Sequence, residues 1–195
     1  MNTFQDIAIF IVDTLGTLFL LMVILRFFLQ LARADFYNPL SQAIVKITNP
    51  LVIPLRKIIP GMFGIDMASI VLALIIQVLL GELIFFILSG SLYNPLHMLI
   101  WGTLGTLKVT TYIAYVCLIV LAISSFIAPH SNHPILTLIR QLMEPILRPI
   151  QKLIPSVGGL DFSVLFVFMG IIILQKILDA TAVSVQLAPA LIVGF

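Results

Sequence analysis

Four ionisable side chains sit where a hydrocarbon environment would make them expensive. Asp13, Glu82 and Lys176 lie within long apolar runs, and Lys108 opens another. Charge at such positions is costly and needs a partner, and it marks ion paths, proton relays or structural ion pairs. At a rise of 1.5 Å per residue, all four fall in the half of the layer away from the basic connecting segments. Two further carboxylates, Asp66 and Asp161, each stand immediately before an apolar run. There the ordinary role is an N-cap, with the carboxylate facing the free N–H groups and positive end of a helix. Ion or proton binding is the alternative for both. His97, His130 and His133 have no metal-ligand spacing. No phosphate loop, zinc-protease motif, haem-attachment motif or nucleophile–base arrangement is recognisable. The reading is non-enzymatic, with no cofactor and no metal.

These charges need elements to carry them, and composition names the solvent. The 195 residues are 61% hydrophobic and only 9% charged. A soluble domain carries about a quarter charged residues. The bilayer is therefore the first expected partner, and a net charge of +2 without a basic tract argues against nucleic acid. The start "MNTFQDIAIF" has Asp6 and no Lys or Arg before its apolar run, so it is not read as a signal peptide. Cys117, the single cysteine, can form no intramolecular disulfide.

Segments of about 20 apolar residues span a bilayer. Four are expected, at 7–25, 67–89, 109–128 and 162–178. The segments between the first and second spans and between the third and fourth hold eight of the ten Lys and Arg residues. Basic loops stay on the cytoplasmic side. Both termini and the connection at 91–101 are then extracytoplasmic, with Tyr93 and Trp101 at the outer membrane–water boundary.

The chain repeats itself at an offset of 95 residues without a gap. Pro39, Pro50, Pro54, Lys57, Ile59, Pro60, Gly64 and Asp66 recur as Pro134, Pro145, Pro149, Lys152, Ile154, Pro155, Gly159 and Asp161. Repeat 1 covers 1–90 with a proline-rich segment at 38–60; repeat 2 covers 102–185 with its counterpart at 133–155; residues 186–195 form an apolar tail. Two crossings per copy make the repeats parallel, related by a pseudo-two-fold along the membrane normal. The fold class is all-α: four transmembrane helices in two tandem units, each a span, an amphipathic interfacial segment and a span.

Each proline segment opens with proline in a first helical turn. Leu40, Ile44, Ile47 and Leu51 form an apolar stripe opposite Ser41, Gln42, Lys46 and Asn49, and Ile135, Ile139, Leu142 and Ile146 repeat it. Such helices lie along a membrane surface. The interior prolines are expected to kink or end them, leaving a second short helix that stops at Pro60. Arg56, Lys57, Arg148 and Lys152 reach headgroups or a partner's acidic side chains. Gly16, Gly81, Gly102 and Gly105 allow close helix approach. At the repeat offset Asp13 matches Lys108, and Lys176 matches Gly81 beside Glu82. This predicts ion pairs between the two copies.

The stretch "RADFYNPLSQAIVKITNPLVIPLRKIIPGMFGID" and its echo "HPILTLIRQLMEPILRPIQKLIPSVGGLD" resemble the two motif copies of the YggT (YlmG-like) family. The resemblance implies a multi-pass bacterial inner-membrane protein. It implies links to osmotic or envelope stress, ion uptake, division-associated gene clusters or assembly of membrane complexes, and no catalytic residue. Gln151 departs from the second arginine often found there. Two functions follow as expectations. One is a scaffold or assembly factor whose cytoplasmic amphipathic segments bind lipid and a membrane or cytoplasmic protein, possible self-association included. The other is a small ion transporter or channel component, potassium being a candidate ion.

A cysteine placed at Lys57 tests the orientation. It should resist an impermeant thiol reagent in intact cells and react after permeabilisation; labelling from outside would invert the topology.

Overall fold

The computed structural model describes residues 3–62, 64–127, 131–153 and 163–195. Among these, six α-helices follow in order: α1 (Thr3–Leu31), α2 (Pro39–Ile58), α3 (Met67–Ser89), α4 (Pro95–Ile127), α5 (Pro134–Leu153) and α6 (Ser163–Ser184). A 3-10 turn follows at Pro189–Leu191. Helices α1, α3, α4 and α6 are long and apolar enough to cross a membrane. The chain is an all-α membrane protein of two tandem units, α1–α2–α3 and α4–α5–α6.

Three helices start the same way. Asn38, Asn94 and His133 precede Pro39, Pro95 and Pro134, and each side chain accepts the N–H two residues on. Proline at the first helical position lacks an N–H that would be unpaired anyway. This start carries α4 back to Pro95, so most of the expected 91–101 linker is helix. At 33 residues, α4 is about 50 Å long and extends beyond a hydrocarbon core of about 30 Å. Trp101, expected at the water boundary, is buried within α4 and donates its indole N–H to Val185 C=O at 3.1 Å.

The interior prolines do not end the surface helices. Helix α2 runs unbroken through Pro50 and Pro54, and α5 through Pro145 and Pro149. Each proline deprives the carbonyl four residues earlier of its donor. The spacing of four puts each pair on one face, and all four prolines are exposed. In α2 the freed carbonyls belong to Lys46 and Pro50, also exposed, where headgroup water can bond them. Beyond α2, Met62 and Ile65 exchange two backbone hydrogen bonds, and Gly64 has φ +80°, which favours glycine.

Within each unit the spans pack together, α1 on α3 and α4 on α6. The units join where α3 packs on α4. A two-fold relation would pair α1 with α6 in the same way, and no matching interface forms there. The copies therefore sit side by side. At one end α2 touches α5: the Asn38 side-chain amide donates to Pro134 C=O at 2.8 Å, and Asp35 N–H donates to Gln141 Oε1 at 2.9 Å.

The tail returns into the protein. After α6, Leu187, Leu191 and Ile192 are buried with Ile84, Met98 and Trp101. Val193 meets Gln77 near the midpoint of α3. The Gln77 amide donates to Val193 C=O at 3.0 Å, and Val193 N–H donates to Gln77 Oε1 at 3.3 Å. Irregular backbone at membrane depth is tolerated only where protein satisfies it, and fully buried Gln77 does so here. Glycine makes the room: a Cβ on Gly105 would lie 2.4 Å from Ile192 and 2.8 Å from Val193 O.

Gln77→Leu should strand both Val193 groups and lower stability by roughly 1–3 kcal/mol, the cost of unpaired buried polar groups. Thermal unfolding in detergent, with proteolysis of the tail at Val185–Leu187 as second readout, checks this. An unchanged melting temperature and an intact tail would refute it.

Candidate functional site

Arg26 lies in the last third of α1 beside buried Val23, Ile24 and Leu29, and is itself only 5% exposed. Its Nη1 donates to Thr48 Oγ1 and Asn49 Oδ1, each at 2.8 Å, and to Val45 C=O at 3.3 Å, all on α2. Arg56, in the last turn of α2, donates from Nη2 to Asp66 Oδ2 at 2.6 Å and to Gln30 Oε1 of α1 at 2.7 Å. Its Nε donates to Asp66 Oδ1 at 3.2 Å. Asp66 is 2% exposed and also accepts from Ser69 Oγ at 2.6 Å. Arg26 Nε stands 3.9 Å from Asp66 Oδ2, too far for a hydrogen bond. One cluster thus fastens the surface helix to both spans of the first unit.

Asp66 occupies the N-cap position of α3, but its side chain makes no capping hydrogen bond. The expected cap is replaced by a buried ion pair. Burial pushes the Asp66 pKa up; hydrogen bonds from Arg56 and Ser69 and the Arg56 charge outweigh it and hold it below the ordinary 3.8. The inward face of α2 mixes polar and apolar side chains: Ser41, Thr48 and Val52 are buried, while Leu40, Ile47 and Leu51 are exposed. In the second unit, Leu121 and Met143 stand where the repeat places Arg26 and Thr48, and they pack in an apolar cluster. The inward face of α5 is Leu138, Leu142, Met143 and Leu147.

The predicted pairs between copies do not form. Lys108, 4% exposed, makes an ion pair with Asp179 of α6 in its own unit. Its ammonium also lies 4.6 Å from the Phe195 ring centroid, within cation–π range. Asp13 and Lys176 are exposed on α1 and α6. Glu82 accepts Tyr93 N–H at 2.9 Å through Oε2, while its buried Oε1 has no hydrogen-bond partner. Side-by-side copies explain this: α3 and α6 do not pack together, so Glu82 and Lys176 do not meet.

Of the repeated motif, Pro39 and Pro134 start helices, Pro50, Pro54, Pro145 and Pro149 line exposed faces, and Lys57, Pro60 and Lys152 are exposed. Pro155, Gly159, Asp161 and His130 lie outside the described residues. Among the described residues no three His, Cys, Asp or Glu side chains gather as metal ligands would. Sequence reasoning counted Arg26 only toward sidedness and missed Thr48, Asn49, Gln77 and Asp179. A lone Arg or Gln inside an apolar run was the available signal for Arg26 and Gln77. Nothing in the spacing linked Lys108 to Asp179.

The CCB3/YggT family profile matches residues 5–88 and 100–182, one segment per unit. An uncharacterized Pseudomonas aeruginosa protein is 45% identical over 91% of this chain and 88% of its own length. The uncharacterized protein in the proC 3′ region of Vibrio alginolyticus is 42% identical over 83% of this chain and 88% of its own. The uncharacterized protein YggT of Escherichia coli K12 is 38% identical over 84% and 82%. No solved structure matches the chain.

Asp66→Asn should cost roughly 3 kcal/mol, the low end for breaking a buried pair, because Arg56 is 41% exposed. Since the folded pKa is depressed, the Asp66 contribution is full above its ordinary 3.8 and is lost as pH falls through the lower folded value. Unfolding of wild type and variant at neutral and acid pH checks both; equal stabilities at neutral pH would show that the pair contributes nothing.

Proposed function

The chain belongs to the CCB3/YggT family, and from that premise we propose that it is a non-enzymatic scaffold or assembly factor of the bacterial inner membrane, tied to envelope or osmotic stress. The observation that carries this reading is the joined pair of surface helices. Helices α2 and α5 touch; Asn38, the cap of α2, donates to Pro134 C=O, and Asp35 N–H, in the segment before α2, donates to Gln141 of α5 at the same end of the molecule. They expose apolar Leu40, Ile47, Leu51, Ile135 and Leu153. Basic Lys46, Lys57, Arg148 and Lys152 are exposed on the same two helices. Apolar rows with lysine and arginine suit the headgroup layer, where each basic residue contributes about 1 kcal/mol. They equally suit a partner with acidic side chains. The basic bias supports a cytoplasmic platform with both termini outside.

The ion-uptake reading draws on the charges at Glu82 and Lys108, but Lys108 is neutralised within its own unit by Asp179. The scaffold role is therefore preferred.

Photo-crosslinkers at Lys57 and Lys152 should capture one and the same membrane or cytoplasmic protein in cells, and a crosslinker at Leu92 should not. Capture of a second copy of this chain alone would replace the partner by a homo-oligomer. Reproducible ion flux from purified protein in liposomes, lost on Asp13 or Glu82 substitution, would overturn the scaffold in favour of transport.

A further inference from the structure

A cavity of about 320 Å³ opens between α1, the segment that follows it and α2. Its wall includes the guanidinium residues Arg26, Arg33 and Arg56, with Gln30, Ser41 and Phe36. Two buried polar atoms in that wall have no hydrogen-bond partner: Arg26 Nε and Ser41 Oγ. Their residues are 5% and 2% exposed. Buried polar groups are nearly always satisfied, so unsatisfied ones call for an explanation. The charges are also unbalanced. Asp66 offers one carboxylate against three guanidiniums and already accepts from Arg56 and Ser69. Asp35, close in sequence, uses Oδ1 to accept Tyr37 N–H. Arg33 itself has φ +50° just beyond the end of α1, where glycine is the usual residue.

The second unit provides an internal control. A cavity of about 310 Å³ lies at the corresponding place, lined by Leu121, Arg140, Glu144 and Gln151 among others. By the repeat offset, Leu121 replaces Arg26, Gln151 replaces Arg56 and Glu144 replaces Asn49. Among the described residues the second hollow carries one guanidinium, that of Arg140. Only the first hollow gathers three guanidiniums.

We infer that the first-unit cavity binds a phosphate group, supplied by an anionic phospholipid headgroup or by inorganic phosphate. Guanidinium forks match phosphate oxygens with paired, charge-assisted hydrogen bonds. Tetrahedral oxygens can address arginines from two helices and a loop at once, which the two coplanar oxygens of a carboxylate cannot. Ser41 Oγ adds a neutral donor. Phe36 and Leu29 in the same wall give an acyl chain an apolar exit. The inference shares with the scaffold reading only the membrane setting and does not need a protein partner.

The test uses the full chain purified in detergent and in nanodiscs, at constant ionic strength because salt screens such contacts. One arm titrates inorganic phosphate and follows melting temperature. The other compares retention of phosphatidylglycerol with phosphatidylcholine by native mass spectrometry. Saturable binding in either arm is expected, and the responding arm names the source. Arg33→Gly, which relieves the left-handed backbone, should weaken binding at least tenfold. Gln30→Glu, which still accepts from Arg56 but adds negative charge to the wall, should do the same with the fold intact. Arg140→Gln, in the second cavity, should leave binding unchanged. Absence of saturable binding in both arms would overturn the site, as would wild-type affinity in folded Arg33→Gly or Gln30→Glu. Binding that persists when no partner crosslinks would sink the scaffold and leave the site standing.

Discussion

Inside a hydrocarbon layer a polar group can bond only to protein, and the architecture of this chain follows from meeting that demand at three places. The Arg26–Arg56–Asp66 cluster holds a surface helix against two spans. Gln77 satisfies the backbone of a tail that re-enters between α3 and α4. Lys108 finds Asp179 and an aromatic face between α4 and α6. Each polar contact lies where two elements meet. Lipid offers no hydrophobic force to press helices together, so polar contacts and close packing fix which surfaces meet.

The two units show how much of this is needed for folding alone. In the first, Arg26 and Thr48 bond inside the unit; in the second, Leu121 and Met143 fill the matching space. Replacing a buried polar network by well-packed apolar residues is often neutral for stability. The second unit does so at the positions matching Arg26 and Thr48. The Arg26–Thr48 contact is therefore particular to the first unit, and Arg26 and Arg56 stand in the wall of the first cavity.

The spans and their number were readable because a bilayer requires long apolar runs whatever packs beside them. Helix starts at Pro39 and Pro134 were readable because proline suits a first turn. Other readings failed for definable reasons. Pro50 and Pro54 were expected to break a helix, yet their spacing confines both missing bonds to an exposed face. Asp66 was expected to cap α3, but Arg56 arrives from ten residues upstream and takes the carboxylate. The Asp13–Lys108 pairing assumed a two-fold between copies, and the copies lie side by side.

By itself the sequence determined the membrane setting, the four crossings, the duplication and the concentration of basic residues in two segments. All of these are properties of composition and period, and they survive any rearrangement of neighbours. The tertiary structure alone decided which charges meet, that α2 turns Ser41 and Thr48 inward beside Val52, and that the tail closes the seam between the units. Those outcomes depend on the angle and order in which helices pack, and contacts separated by 10 to 116 residues leave no local pattern in the chain.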